Sequence, residues 1–97
     1  MKIEIESMGL PTLSKLIGKK TTVEIDREAA TVRDLVSFLV KNHGKKMNQI
    51  LLDSDGQLDL TIQVMINDEG FLARNEYARR ELREGDTVRF MLLVGGG

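Results

Sequence analysis

The sequence lacks cysteine and tryptophan altogether and has a single proline among its 97 residues. Without a thiol the chain can form no disulfide, hold no metal through thiolates and use no cysteine nucleophile. If the protein takes part in sulfur chemistry, the thiol must belong to another molecule. A length of 97 residues is typical of one domain.

An excess of charge of either sign is also missing, since 14 lysines and arginines stand against 15 aspartates and glutamates. A nucleic-acid-binding protein normally carries a basic excess, so no nucleic-acid partner is expected. Acidic residues interrupt the apolar ones within Met1–Glu6, which fits neither a signal peptide nor a membrane span. We therefore expect a cytoplasmic protein with no membrane partner.

The single histidine, His43, is accompanied by no second histidine and no cysteine. A zinc or copper site needs several such ligands. Lysines at 41, 45 and 46 surround His43, a pattern typical of a solvated helix end. We expect neither a bound metal nor a bound cofactor.

Apolar and polar residues alternate in three stretches, and this period of two predicts β-strands, while a fourth stretch is apolar almost throughout and is also a predicted strand. The predicted strands lie at 2–6, 21–26, 60–66 and 88–94. The segment 8–20 contains Gly9, Pro11 and Gly18 and is expected to form a long loop or an irregular turn. Leu60 is expected to face the core with the alternate residues that follow it. The last stretch is apolar on both parities, with Phe90 and Leu92 on the core side, which favours a central strand.

A helix is predicted from Thr31 to His43, because Thr31 and Asp34 match an acidic form of the capping box. Apolar residues then recur at helical spacing, at positions 32, 35, 36, 39 and 40, and Gly44 is a suitable stop. Segment 45–52 fits either a helical turn or a strand. The order of elements predicts an α+β roll with one main helix across one face of a mixed sheet.

Three glycines, Gly95, Gly96 and Gly97, follow the last predicted strand. Glycine loses the most entropy when ordered, so such a run is unlikely to serve stability. It would provide a thin leader whose carboxylate can enter a narrow cleft, and that carboxylate is the candidate reactive group. A frayed end is the alternative interpretation. We predict a domain over 1–94 and a flexible glycine tail over 95–97.

The outward parity of the last strand suggests a docking patch beside this tail. Met91 and Leu93 should lie on the sheet face away from the helix, next to Arg89. Exposed apolar residues there would position a partner relative to the tail. The predicted partner-binding residues are Arg89, Met91, Leu93, Val94 and Gly95. The alternative is that a loop folds over the apolar residues.

The chain resembles the ThiS/MoaD family of ubiquitin-like sulfur carriers over nearly its whole length. The resemblance is carried by Lys2–Ile5, by the capped helix start Thr31–Leu35, by Val64–Asp68, and by Leu82-x-x-Gly85-Asp86-x-Val88 leading to Val94-Gly95-Gly96. It implies a β-grasp fold. Many members carry proline and alanine before a terminal glycine pair, whereas this chain has Leu92-Leu93-Val94 and a third glycine, so the resemblance leaves open which glycine reacts.

In such a family an E1-like activating enzyme uses ATP to adenylate the terminal carboxylate, and sulfur from a donor protein then gives a thiocarboxylate. The resemblance therefore assigns the chemistry to Gly96 and Gly97. It implies that the chain is a protein cosubstrate and not an enzyme, or the small subunit of a molybdopterin synthase-like complex. A sulfur-accepting synthase subunit is a further expected partner, in molybdopterin or thiamin biosynthesis or tRNA thiolation. Two other hypotheses stay open: a ubiquitin-like tag conjugated to lysines, and a β-grasp interaction module without acyl chemistry.

Overall fold

Residues 1–92 are described by a computed structural model, which contains both strands and helices. The strands are β1 Lys2–Met8, β2 Lys20–Glu24, β3 Ala30–Thr31, β4 Ile62–Ile66, β5 Glu81–Leu82 and β6 Thr87–Leu92. The helices are α1 Pro11–Ile17, α2 Val32–His43 and α3 Lys45–Leu51, with a 3-10 turn at Arg74–Glu76.

Strand β6 lies inside a mixed four-stranded sheet whose order is β2-β1-β6-β4. It pairs in parallel with β1 and antiparallel with β4, while β1 and β2 form an antiparallel pair. Strands β3 and β5 make a separate two-stranded sheet. The central position of the last strand, which its apolar character predicted, is confirmed.

The predicted start and end of α2 are confirmed in detail. The Thr31 hydroxyl accepts a hydrogen bond from the Asp34 backbone N–H at 3.3 Å, and the Thr31 N–H donates to Asp34 Oδ2 at 2.9 Å. The backbone hydrogen bond from Thr31 is the main cause that lowers the pKa of the Asp34 carboxyl, and Arg27 acts in the same direction. Gly44 ends the helix at φ +71°. The apolar stripe of α2 is buried at Val32, Leu35, Val36 and Leu39.

The prediction of a long loop over 8–20 is wrong, because this segment contains α1. Gly9 precedes the helix, Pro11 is its first residue and Gly18 ends it at φ +88°. Proline is well suited to the first helical position, where its missing N–H costs nothing. Leu13 is fully buried under the sheet. The segment left open, 45–52, forms α3, which buries Met47 and Leu51 one helical turn apart.

The placement of Leu60 and Leu92 in the core is also wrong. Leu60 is 68% exposed, and β4 begins only at Ile62. Asp59 accepts hydrogen bonds from the N–H and hydroxyl of Thr61 at 2.9 and 2.6 Å, which holds Leu60 in a turn. Leu92 is 41% exposed although it shares the parity of the buried Phe90. Its neighbour at that end of the sheet is Gly9, which has no side chain to cover it.

Candidate functional site

Exposed apolar side chains gather where strand β6 ends. The parallel register places Met8 opposite Met91, and the antiparallel register places Ile62 opposite Leu92. Met8, Leu60 and Leu92 are 48%, 68% and 41% exposed. Together with the half-buried Met91, they form a surface that we call the exit rim, at the last described residues of β6. Exposed apolar side chains grouped at one end of a sheet are typical of a site of interaction.

Arg89 lies on the outer face of the sheet with Met91, as the parity of the strand predicted. Its guanidinium binds Glu6 Oε2 through Nη2 at 3.0 Å and through Nε at 3.3 Å. Nη1 also approaches the sulfur of Met65 at 3.3 Å. Both charged side chains are partly buried, at 25% and 18% exposure. Arg89 is therefore oriented by Glu6, and a partner would meet it as one half of an ion pair.

The opposite end of β6 is held by polar groups. The Asn67 side chain donates to Asp86 Oδ1 and accepts from the Thr87 N–H, both at 3.0 Å. Asp86 Oδ2 accepts from the Arg83 N–H at 2.8 Å, and the Thr87 hydroxyl donates to Glu4 at 3.2 Å. Asn67 occupies the left-handed region at φ +52°, which asparagine tolerates better than most residues. We call Asn67, Asp86 and Thr87 the polar anchor.

The predicted site residues separate into two groups. Arg89 and Met91 are brought together on the outer face, beside Met8. Leu93, Val94, Gly95, Gly96 and Gly97 lie outside the described residues, so their roles stay predictions. Met8 and Leu60 were missed by sequence reasoning. Met8 continues the outward parity of Lys2, Glu4 and Glu6 in β1, but only the pairing of β1 with β6 places it at the exit rim.

Residues 1–92 contain neither a candidate metal site nor a helix that could span a membrane. This part of the chain contains no group of three or more histidine, aspartate or glutamate residues placed to hold a metal ion. His43 is exposed at the end of α2, as its lysine neighbours indicated. None of the helices in the same range has the length and apolar character needed to cross a bilayer.

Comparisons with known proteins agree with this geometry. A protein from Archaeoglobus fulgidus, whose name assigns it provisionally to the sulfur carriers, is 35% identical over 77% of this chain and 83% of its own. The crystal structure of SAMP1 from Haloferax volcanii is 26% identical with a TM-score of 0.76, and each chain is covered completely. The thiamine biosynthesis protein ThiS from Geobacter metallireducens is 24% identical with a TM-score of 0.56, again over the whole of both chains.

The fold and these relatives define a ubiquitin-like protein of the sulfur carrier class. The model of the Urm1 (ubiquitin related modifier) family matches residues 2–97, and the chain belongs to that family. The β-grasp prediction is confirmed, with α1 and α3 present in addition to the main helix. The resemblance to ThiS/MoaD proteins holds at the level of ubiquitin-like sulfur carriers, while the matched family is Urm1.

Proposed function

We propose that the chain carries sulfur on its C-terminal carboxylate, which is Gly97 in this sequence. An E1-like activating enzyme binds ATP, and a carboxylate oxygen of Gly97 attacks the α-phosphorus to release pyrophosphate. The product is an acyl-adenylate. The outer sulfur of a persulfide on a donor protein then attacks the acyl carbon and AMP leaves, which gives an acyl disulfide. A second thiol of the partner proteins attacks the donor sulfur of this disulfide, so that the S–S bond breaks, the thiocarboxylate is released and a disulfide forms between the two thiols. The carboxylate alone is a poor electrophile because attack would have to expel oxide, whereas AMP is a good leaving group.

The observation that carries this proposal is the position of the exit rim. A partner enzyme has to hold the protein firmly while the terminal residues enter its active site. The exit rim presents apolar surface beside the last described residues of β6, which precede the tail in the sequence; it consists of Met8, Leu60, Met91 and Leu92. A few buried apolar anchors typically supply most of the energy of a protein interface. In this proposal Leu93, Val94 and Gly95 extend that contact, and Gly96 and Gly97 enter the cleft.

The residue composition supports the same chemistry. The chain has no cysteine, so in this proposal the sulfur comes from a persulfide on another protein and travels on the acyl carbon. The chain is then a cosubstrate consumed and regenerated by its partners, not a catalyst. The proposed acceptor is the synthase of a molybdopterin-type or thiamin-type cofactor, or a tRNA-thiolating enzyme.

Intact-protein mass spectrometry tests the proposal directly. The chain is incubated with its activating enzyme, ATP and a sulfur donor, and the expected product has one oxygen replaced by sulfur at the terminus. The matched control lacks Gly96 and Gly97; it should melt at the same temperature, because glycines contribute no side chain to the core, and should give no shift. Equal conversion of the shortened chain, or no conversion of the full chain, would overturn the proposal.

A second candidate function is attachment to lysine side chains of other proteins. Relatives are described as modifiers, both in the Urm1 family and in the Haloferax volcanii small archaeal modifier protein 1. Conjugation would share the acyl-adenylate and differ in the final nucleophile, which would be a lysine amine. Trypsin cleaves after Arg89, the last basic residue of the chain, so tryptic peptides whose lysine carries the branch 90–97 would identify this outcome. An interaction module without acyl chemistry would give neither product.

A further inference from the structure

A groove of about 530 Å³ runs along α2 on the helical side of the molecule. Helix α2 forms one wall, and the other wall is built by the turn at 56–58 and by the segment 74–78 that contains the 3-10 turn. Apolar side chains line it from both walls: Val32, Val36, Val40, Leu52, Leu58 and Tyr77. We call this feature the helix groove.

Positive charge is concentrated along the helix groove. Arg33, Lys41 and Arg74 line it, and no aspartate or glutamate does. Within residues 1–92, none of these three cations lies within salt-bridge distance of a carboxylate. The net charge of the whole chain is -1, so the positive charge of this lining is a local feature of the groove. Asp59 lies outside this lining; hydrogen bonds from Thr61 are the main cause that lowers its pKa, and Arg74 acts in the same direction. Arg74 therefore has an acidic neighbour, whereas Arg33 and Lys41 have none within salt-bridge distance in the described part of the chain. Cations around an apolar groove attract a ligand that is both acidic and apolar.

The 74–78 wall is held in a defined position. Arg74 Nη1 donates to the carbonyl oxygen of Leu58 at 2.9 Å, and its guanidinium lies 6.0 Å from the centre of the Tyr77 ring. The Arg33 N–H donates to the carbonyl oxygen of Tyr77 at 2.9 Å, which ties this wall to the start of α2. Burial raises the pKa of Tyr77, and a tyrosine hydroxyl is a hydrogen-bond donor at neutral pH.

We propose that the helix groove binds a short segment of a partner protein in which apolar side chains are flanked by aspartate or glutamate. From Val32 to Lys41 the groove follows about 14 Å of helix, which suits four or so residues of extended chain. Apolar side chains of the segment would fill the space over Val36, Val40 and Leu58, and its carboxylates would pair with Arg33, Lys41 and Arg74.

This site is separate from the proposed sulfur-carrying end. The helix groove and the exit rim share no residue, and their members come nearest in sequence at Leu58 and Leu60. The inference goes beyond the proposed function and does not depend on it.

Selection of short random peptides displayed on phage against the full chain tests the proposal. Selected peptides should combine apolar residues with aspartate or glutamate. When such a peptide is titrated into the ¹⁵N-labelled chain, the largest amide shifts should fall at Val36, Val40 and Tyr77. Affinity should fall roughly tenfold or more in the Arg33→Glu/Lys41→Glu variant and should decrease with added salt.

The matched control is Lys15→Glu/Lys46→Glu, which makes the same kind of charge change at exposed residues that do not line the groove. It should leave peptide affinity unchanged. Both variants should melt close to the unmodified chain and should be converted by the activating enzyme as well as it is. The proposal is overturned if no peptide is selected, if selected peptides lack acidic residues, if shifts centre on the exit rim, or if both variants bind alike.

Discussion

The two ends of strand β6 differ in how they are held. At the end where the strand begins, side-chain hydrogen bonds of 2.8 to 3.0 Å join Asn67 and Arg83 to Asp86 and Thr87. At the end where the strand stops, the neighbouring side chains of Met8, Leu60 and Leu92 are apolar and exposed. One end is fastened by directional bonds, and the other presents a surface suited to a partner.

The difference shows how a small domain can expose apolar groups without losing its fold. Hydrogen bonds at the anchored end fix the register of β6 against β1 and β4. The position of β6 in the sheet therefore does not depend on burial of the exit rim. Phe90 lies between the two ends of β6 and is fully buried. Substitutions along β6 should therefore have graded effects on folding.

Phe90→Ala should have the largest effect, a loss of about 3–5 kcal/mol from the free energy of unfolding. Total stabilities of domains are about 5–15 kcal/mol, so this variant should be largely destabilised. Met91→Ala, one residue further on and half-buried, should cost less than about 1.5 kcal/mol. Chemical denaturation of both variants measures the difference. Similar midpoints would mean that the two faces of β6 do not divide into core and surface.

Asn67→Ala should lower the free energy of unfolding by about 3 kcal/mol. Two side-chain hydrogen bonds are lost, each worth about 1 kcal/mol, and alanine is strained at the positive φ of this position. Asn67→Gly loses the same hydrogen bonds without the strain and should be less destabilised by about 1 kcal/mol. If thermal unfolding of both variants matches that of the unmodified chain, the polar anchor does not hold β6.

Asp34→Asn should cost about 1 kcal/mol at neutral pH, because the capping box loses its charged partner. The pKa of Asp34 is lowered in the folded protein, so folding favours the ionised form. This contribution is complete above the unfolded-state pKa of about 4 and is lost as the pH falls through the lower folded-state pKa. Unfolding followed from pH 7 to pH 2 should show the two proteins converging in acid. A constant difference would contradict this assignment.

Sequence patterns predicted the parts of the fold that rest on local rules. The capping box at Thr31, the stripe of α2 and the central place of the last strand all follow from spacing and periodicity. Helix α1 was missed because Gly9, Pro11 and Gly18 were interpreted as loop residues, whereas they flank or begin a helix of seven residues. Short helices are fixed by tertiary burial, here of Leu13, more than by propensity.

The candidate site was predicted in part for a similar reason. The parity of β6 placed Arg89 and Met91 on the outer face, but pairing across the sheet is needed to bring Met8 beside Met91. Leu60 was assigned to the core because it continued the alternation of β4. The turn held by Asp59 and Thr61 removes it from the strand, and a side-chain cap of this kind overrides hydrophobic periodicity.

Leu60→Ser should have the smallest effect on folding and still reduce binding to the activating enzyme. Leu60 is 68% exposed, so the free energy of unfolding should change by no more than about 0.5 kcal/mol. Loss of an apolar anchor at an interface typically costs about 1–2 kcal/mol of binding free energy or more. Phe71→Ser is the matched control, since Phe71 is also exposed, at 58%. Phe71 pairs with Met65, and Met65 lies opposite Arg89, so Phe71 is nearer to the anchored end of β6. Calorimetric titration with the activating enzyme should show weaker binding for Leu60→Ser than for Phe71→Ser. If the order is reversed, the docking surface lies toward the anchored end of β6 and not at the exit rim.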